Sequence, residues 1–247
     1  YVYYLYGICN YMCGIFPSTI SIPYNTSPVQ LFSHTMPYPR AVIFDLDNTL
    51  HSLIAARLTA ISTVAAWLND ATGDLPYLFL HNDKPTMVED VLTRYLTDTD
   101  NLAALTASGW LYHTLERSCI TPFPSIPDLL TELHQNSVRL AVITNSDPRE
   151  AHLRLELLGL SAYFETVVTP ETFGIKKPDP AVYQKTLDLL GVSAADTIMI
   201  GDRLDRDVTP AREAGMRAVH AAYGTFEKGE PGAAPSPKDL RKILLSQ

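Results

Sequence analysis

The feature that most constrains the fold is a series of short, continuous apolar runs separated by longer segments of helical periodicity. These runs are Ala41–Phe44, Leu140–Thr144, Thr166–Val168, Thr197–Gly201 and Arg217–His220. Continuous apolar runs, in place of alternating ones, are typical of parallel strands that helices cover on both faces. The pattern therefore predicts an α/β fold with a doubly wound, mostly parallel sheet.

Apolar spacing predicts core helices between and after these strands. They cover Ser125–Asn136, Pro148–Leu158, Asp179–Leu190, Asp207–Ala214 and Pro237–Leu245. Strands and helices in alternation imply right-handed crossover connections within one sheet. We therefore assign residues 39–50 and 124–247 to the α/β core.

The interval that follows the first strand interrupts this alternation, because residues 51–123 hold no convincing strand pattern. Apolar residues at helical spacing predict helices over His51–Asn69, Thr86–Thr97 and Leu102–Ser118. An insertion at this point would lie over the end of the first strand. We expect residues 51–123 to form a helical cap there, and helices packed against the sheet edge are the alternative.

Residues 1–38 differ from the rest of the chain, since they are rich in Tyr, Ser and Pro and contain no acidic residue. No basic segment precedes their apolar stretch, so we expect no signal peptide. Glycine and proline interrupt that stretch too often for a membrane span. We treat these residues as an appendage of unknown role, and Met36 is a candidate native start.

Composition excludes several classes of function. The 247 residues carry a net charge of −8 and the pI is near 5.3, which argues against a nucleic-acid-binding protein. The three cysteines, Cys9, Cys13 and Cys119, have no Cys/His cluster around them, so a zinc site is not expected. So few thiols fit a reducing compartment, and we expect a cytoplasmic protein with no membrane partner.

Acidic side chains follow the first strand directly. Asp45 and Asp47 stand one residue apart at its carboxyl end, with no basic residue between them. Open α/β sheets bind their ligands at this edge. Two carboxylates that would repel each other there make sense if a cation and a phosphate lie between them. This segment is the expected centre of the chemistry.

The other strand ends add phosphate-binding groups. Thr144 and Asn145 follow the second strand and precede a helix whose free N–H groups suit an anion. Further along, Lys177 lies in a turn stiffened by Pro178, where a fixed ammonium group would neutralise a bound phosphate. Lys176 is the reserve candidate.

The fourth strand ends in Gly201 and Asp202, and Asp205 and Asp207 follow within five residues. Acids at a helix start often do no more than favour the helix dipole. Combined with the acids of the first strand, however, they supply oxygen ligands of the kind that Mg²⁺ prefers.

These four segments, in this order, resemble the haloacid dehalogenase-like hydrolase superfamily over roughly residues 40–246. Its first motif, Asp-x-Asp-x-Thr/Val, matches Asp45, Asp47 and Thr49. Its second matches Thr144, and its third, a Lys usually followed by Pro, matches Lys177. Its fourth matches Asp202 and Asp207, and the insertion resembles the helical C1 cap of the family.

The resemblance implies a Mg²⁺-dependent phosphatase that hydrolyses a small phosphomonoester through an aspartyl-phosphate. Asp45 would be the nucleophile and Asp47 the general acid and base. The metal ligands would be Asp45, the backbone carbonyl of Asp47, Asp202 and Asp207. The phosphoryl oxygens would be held by Thr144, Asn145 and Lys177, and Lys177 is counted among the catalytic residues.

Three alternatives stay open. A sugar-phosphate mutase of the same superfamily would return the phosphate to a substrate, and a 2-haloacid dehalogenase would attack carbon. Dehalogenases of the superfamily usually lack the second acid, so Asp47 favours phosphoryl transfer. A phosphate-binding scaffold without catalysis is disfavoured by the intact motif set. Substrate choice would depend on the cap, whose candidate contacts are His51, Arg57, Trp110 and His113.

Overall fold

The computed structural model describes residues 38–70, 74–76, 88–96, 102–225 and 229–245. All of them belong to one compact unit, which spans Met36–Gln247. The predicted appendage falls outside the described residues except for Tyr38, and so do Cys9 and Cys13. In the described part of the chain, no helix combines the length and the apolar character that crossing a bilayer requires.

Five parallel strands form a single sheet in the order β3-β2-β1-β4-β5. Their bounds are Ala41–Phe44 (β1), Arg139–Ile143 (β2), Thr166–Val168 (β3), Thr197–Gly201 (β4) and Arg217–His220 (β5). The predicted doubly wound parallel sheet is confirmed. One boundary was wrong: β2 begins at Arg139 and ends at Ile143, so Thr144 lies just beyond the strand.

Helices on both sides of the sheet complete the core. They are Ile126–Gln135 (α4), Pro148–Leu157 (α5), Pro170–Phe173 (α6), Pro180–Leu190 (α7), Thr209–Glu213 (α8) and Pro237–Leu245 (α9). The predicted start of the helix over Asp207–Ala214 was wrong. Helical structure begins earlier, with a π-helical turn over Leu204–Val208 that leads into α8. Short 3₁₀ turns cover Ser161–Tyr163, Ala194–Asp196 and Ala222–Gly224.

Both faces of β1 are buried, which explains its uninterrupted apolar sequence. Val42 and Phe44 pack into one apolar cluster with residues of α4, α5 and α9. Ala41 and Ile43 point to the opposite face and pack with residues of α7 and α8. The central strand is therefore covered on both sides, as a doubly wound sheet requires.

Among the described residues of the insertion, the longer helices are Leu53–Trp67 (α1), Val88–Tyr95 (α2) and Leu102–Cys119 (α3). They share an apolar cluster of their own that includes Ile61, Leu92 and Tyr112. The two linkers to the core run side by side, since the Phe123 N–H donates to the Leu50 carbonyl at 2.9 Å. The insertion thus leaves and re-enters the core at one place.

Candidate active site

A pocket of about 330 Å³ lies at the carboxyl edge of the sheet, beside the linkers of the insertion. The core contributes Asp45, Asp47, Thr144 and Lys177 to its lining, among other residues. Helix α1 contributes Leu53 and Arg57. The structure therefore brings residues of separate sequence motifs, and a basic residue of the insertion, to one cavity.

One group of residues in this region is a buried acidic cluster. Asp45, Asp202 and Asp207 each present a carboxylate oxygen, and these oxygens lie within 4.8 Å of one another. Lys177 contacts two of the three, with Nζ 2.5 Å from Asp45 Oδ1 and 2.6 Å from Asp207 Oδ1. All four side chains are buried, so the cluster holds more negative charge than its contacting ammonium group neutralises.

This excess charge shifts the pKa values of the acids. Burial raises the pKa of Asp45 to about 7 and that of Asp202 to about 8, and the neighbouring carboxylates add to both increases. Burial alone would lower the pKa of Lys177, but Asp207 and Asp45 outweigh it and raise that pKa above its usual range. A bound cation would lower the cost of holding three carboxylates together.

The backbone places the acids of this cluster. The Asp45 N–H donates to the Ile200 carbonyl at 2.8 Å, so Asp45 continues the pairing of β1 with β4. The Thr49 hydroxyl donates to Asp45 Oδ2 at 3.1 Å. Asp207 Oδ2 accepts from the Arg203 N–H at 3.0 Å. A larger residue at position 201 would require Asp207 to move, because a Cβ at Gly201 would collide with the Asp207 Cβ.

The loop that carries Lys177 is fixed from the second strand. The Asn145 side-chain amide donates to the Lys177 carbonyl at 2.9 Å, and the Lys177 N–H donates to Asn145 Oδ1 at the same distance. Asn145 was expected to hold phosphoryl oxygens, whereas its amide is engaged in this reciprocal pair. Lys176 is exposed, and Thr144 is buried at the pocket wall.

Asp47 lies in the same pocket but in a different environment. Its Oδ2 accepts from the Ser146 hydroxyl at 2.7 Å, and Arg154 Nη1 lies 3.1 and 3.0 Å from its two oxygens. His51 Nε2 lies 3.0 Å from Oδ1. Burial would raise the pKa of Asp47, but the His51 hydrogen bond and the Arg154 charge outweigh it and lower that pKa to about 2. These contacts therefore stabilise the ionised form of the Asp47 carboxylate.

Two of these three partners were not predicted. Ser146 and Arg154 were not singled out, and His51 was named only as a candidate contact for the leaving group. Ser146 directly follows the motif residues Thr144 and Asn145, which is a weak signal. Arg154 lies inside helix α5 and only the packing of that helix against the core brings its guanidinium to Asp47.

The other predicted positions lie farther from the acids. Arg57 lines the pocket and its Nε donates to Glu116 at 2.8 Å, whereas Trp110 is largely exposed. His113 Nδ1 lies 3.9 Å from a Glu116 oxygen. Asp205 is exposed and pairs with Arg203, so it does not join the cluster.

Comparison with known proteins places this geometry in a family. The model of the haloacid dehalogenase-like hydrolases matches residues 42–221. The chain belongs to this family. The match covers the insertion and all five strands apart from Ala41, so the predicted resemblance is confirmed and the chain is a hydrolase of the haloacid dehalogenase-like type.

Relatives with assigned activities lie at moderate similarity. A glyceraldehyde 3-phosphate phosphatase of Methanocaldococcus jannaschii is 28% identical over 206 residues, which cover 77% of this chain and 88% of the relative. A phosphoglycolate phosphatase of Pseudomonas fluorescens is 28% identical over 217 residues, with 83% and 79% covered. A Bacillus subtilis protein assigned as a HAD-hydrolase, solved with magnesium, superposes with a TM-score of 0.64 at 20% identity, with 84% and 99% covered.

Proposed function

We propose that this hydrolase is a Mg²⁺-dependent phosphatase that cleaves a small phosphomonoester through an aspartyl-phosphate on Asp45. The observation that carries the proposal is the pairing of two acids in one pocket with opposite surroundings. Asp45 lies among acids beside Lys177, and Asp47 is held apart by Arg154, His51 and Ser146. The phosphatase names of the two relatives support the same reaction class.

The surroundings of Asp45 support its proposed role as the nucleophile. Its carboxylate is buried at the pocket floor, and Lys177 and Thr49 donate to its two oxygens. Attack of one carboxylate oxygen on phosphorus forms the acyl-phosphate bond and breaks the bond to the substrate alcohol. Lys177 and Thr144 would hold the phosphoryl oxygens, and such positioning with electrostatic stabilisation supplies most of the catalysis of phosphoryl transfer.

The acidic cluster fits a magnesium ion by its donor set. Asp45, Asp202 and Asp207 offer oxygen atoms alone, at separations that one ion can span, and the group carries uncompensated charge. Hard divalent cations select such ligands. When bound, Mg²⁺ would neutralise charge on the phosphoryl group and on these carboxylates. Asp47 contributes no side-chain oxygen to this cluster, which agrees with the expectation that its backbone carbonyl is the ligand.

Asp47 would transfer the protons. It lies in the same pocket as Asp45, where its ionised form can deprotonate the attacking water. To protonate the leaving alcohol in the first step, Asp47 would first have to bind a proton from solvent. This second acid is also what separates a phosphatase from the dehalogenase alternative, which has no leaving alcohol to protonate. The mutase alternative shares both acids and differs in the acceptor of the phosphoryl group.

We further propose that residues 39–50 and 124–247 form the catalytic core and that residues 51–123 act as a cap. The cap helix α1 places Leu53 and Arg57 at the pocket. Arg57 would meet the part of the substrate that extends away from the phosphate. A cavity of about 330 Å³ accommodates a small metabolite.

The test is phosphate release from a panel of phosphomonoesters that includes phosphoglycolate, glyceraldehyde 3-phosphate, sugar phosphates and nucleotides. We expect release in the presence of MgCl₂ and its loss in EDTA, with restoration by excess Mg²⁺. Activity that is unchanged in EDTA would contradict the metal assignment. A requirement for a sugar bisphosphate activator, with no net phosphate release, would instead indicate the mutase.

A further inference from the structure

We propose that His51 and Arg154 are positioning residues that fix the orientation of the Asp47 carboxylate from two separate parts of the chain. The inference rests on the proposed function, in which Asp47 transfers protons. It adds two residues that the four family motifs do not contain. One belongs to the linker of the insertion and the other to helix α5 of the core.

The contacts leave the Asp47 carboxylate little freedom. Arg154 Nη1 spans both oxygens at 3.1 and 3.0 Å, and also lies 3.2 Å from the Ser146 hydroxyl oxygen. The Ser146 hydroxyl donates to Oδ2 at 2.7 Å, and His51 Nε2 lies 3.0 Å from Oδ1. An ionised carboxylate accepts hydrogen bonds and cannot donate, so His51 must carry its proton on Nε2.

His51 is held in place at a cost. Its side chain is fully buried, and its Nδ1 has no hydrogen-bond partner among the described residues. A buried polar atom without a partner costs about 1–3 kcal/mol, and such atoms call for a functional explanation. The bond to Asp47 supplies that explanation. A leucine at this position would fill similar space without the unpaired nitrogen.

The backbone of His51 is paired with both linkers of the insertion. His51 forms isolated β-bridges with Asp47 and with Pro122, so it lies where the two linkers meet. Arg154 approaches from the core, nearly buried, and its second nitrogen, Nη2, lies 3.8 Å from Glu150 one helical turn earlier. The acid is therefore oriented by groups from both parts of the chain.

The consequence concerns hydrolysis of the phosphoenzyme, in which the ionised Asp47 would deprotonate the attacking water. The oxygen that accepts this proton must point at the water, so the reaction depends on how the carboxylate is held. A nitrophenyl phosphate expels a weakly basic phenolate, so formation of the phosphoenzyme from this ester depends little on Asp47. Loss of the orienting contacts should therefore slow decay of the phosphoenzyme more than its formation.

The experiment measures formation and decay of the phosphoenzyme by rapid quench in single turnovers of the full chain with Mg²⁺, using a nitrophenyl phosphate. The variants are His51→Leu, His51→Gln, Arg154→Met and Arg154→Lys. We expect the ratio of the decay rate to the formation rate to fall at least tenfold in His51→Leu and Arg154→Met. Gln retains an amide donor, and Lys retains a cation that can replace the single contacting nitrogen, so both should restore part of the ratio.

Matched controls come from exposed positions on the same helix. Arg149→Met removes the same charge from α5, and His152→Gln replaces an exposed histidine. Both should keep the wild-type ratio. An equal loss in the formation and decay rates in variants with a wild-type melting temperature, or no loss, would overturn the inference. Failure of the wild-type chain to form phosphoenzyme with this ester would overturn the proposed function instead.

Discussion

Asp45 and Asp47 are separated by a single residue in the sequence, yet their carboxylates lie in opposite electrostatic environments. Around Asp45 lie two further acids, and one lysine contacts Asp45 and only one of them, Asp207. Around Asp47, an arginine, a histidine and a serine surround one acid. The first pKa is raised and the second is lowered, although both groups are buried or nearly so. Sequence proximity therefore says little about the chemical state of an acid.

The backbone explains why the two acids diverge. Asp45 continues the strand pairing, whereas Asp47 follows Leu46, which is fully buried in the core, and precedes Asn48 at a φ of 64°. The turn sends the two side chains to different neighbours. Asp45 meets the ends of β4 and the Lys177 loop, and Asp47 meets α5 and the linker. Environments that separate pKa values in this way are how one site assigns two roles to two carboxylates.

Removal of the nucleophile should have the largest effect. We expect Asp45→Asn to lower phosphate release at least about 10³-fold, because the amide cannot form the acyl-phosphate bond. Steady-state phosphate assays and detection of phosphoenzyme by intact mass check this. The variant should form no phosphoenzyme with any substrate. A variant that keeps its rate and its fold would show that Asp45 is not the attacking group.

Removal of the second acid, Asp47, should slow turnover and leave formation of the phosphoenzyme possible. Asp47→Asn is expected to lower turnover by about 10²- to 10⁴-fold, in the range of lost acid–base catalysis. With a nitrophenyl phosphate, however, the phosphoenzyme should still form and accumulate, since no base deprotonates the water. Intact mass after mixing detects it. Absence of a trapped intermediate, with the nucleophile unchanged, would separate Asp47 from the hydrolytic step.

A substitution at Gly201 should disturb the Asp45 side alone. In Gly201→Ala the new Cβ collides with Asp207, so that carboxylate must leave its place beside Lys177. We expect the Mg²⁺ concentration for half-maximal activity to rise about tenfold, with a loss of about 1–3 kcal/mol of stability. Gly109→Ala is the control, because a Cβ at Gly109 meets nothing within 4 Å. Unchanged Mg²⁺ dependence would place Asp207 outside the metal site.

The smallest expected effect is a pH dependence of stability that only the Asp45 side produces. Folded pKa values of about 7 for Asp45 and about 8 for Asp202 exceed the unfolded value of about 3.9. The folded state then binds more protons, so stability falls as pH rises between about 4 and about 8. For Asp47 the folded pKa is lower, and its contribution is lost only as pH falls toward about 2.

Melting curves in EDTA and in MgCl₂ at pH 5.5 and pH 8 test this. We expect the EDTA samples to melt lower at pH 8, and Mg²⁺ to raise the melting temperature more at pH 8 than at pH 5.5. Binding at 100 times the Kd is worth about 2.7 kcal/mol, which corresponds to several degrees for a chain of this size. The same Mg²⁺ shift at both pH values would contradict the raised pKa values.

Much of the fold was predictable because the strands are short, continuous and buried on both faces. Four of the five strands have the predicted bounds. The π-helical turn at Leu204–Val208 could not be predicted, since no residue type indicates an extra backbone residue in a helical turn. That turn nevertheless contains Asp207 and brings it to Lys177.

The site was predictable to the extent that strand ends converge on one edge of a parallel sheet. Asp45, Lys177, Asp202 and Asp207 were each named from such an end, and the structure brings them together. Arg154 could not be named this way, because a single arginine within a helix has many faces to point to. The engagement of Asn145 with the Lys177 backbone likewise depends on two loops meeting in space.

The adjacent linkers of the insertion have a consequence for how this chain can be rebuilt. Leu50 and Phe123 are hydrogen-bonded neighbours, so the seventy-odd residues between them begin and end at the same place in the fold. Closing such a gap takes only a short turn and costs little chain entropy. The helical segment can therefore be exchanged as a unit. We expect a different segment, joined after His51 and before Phe123, to keep the proposed catalytic carboxylates in place and to change which substrates are accepted.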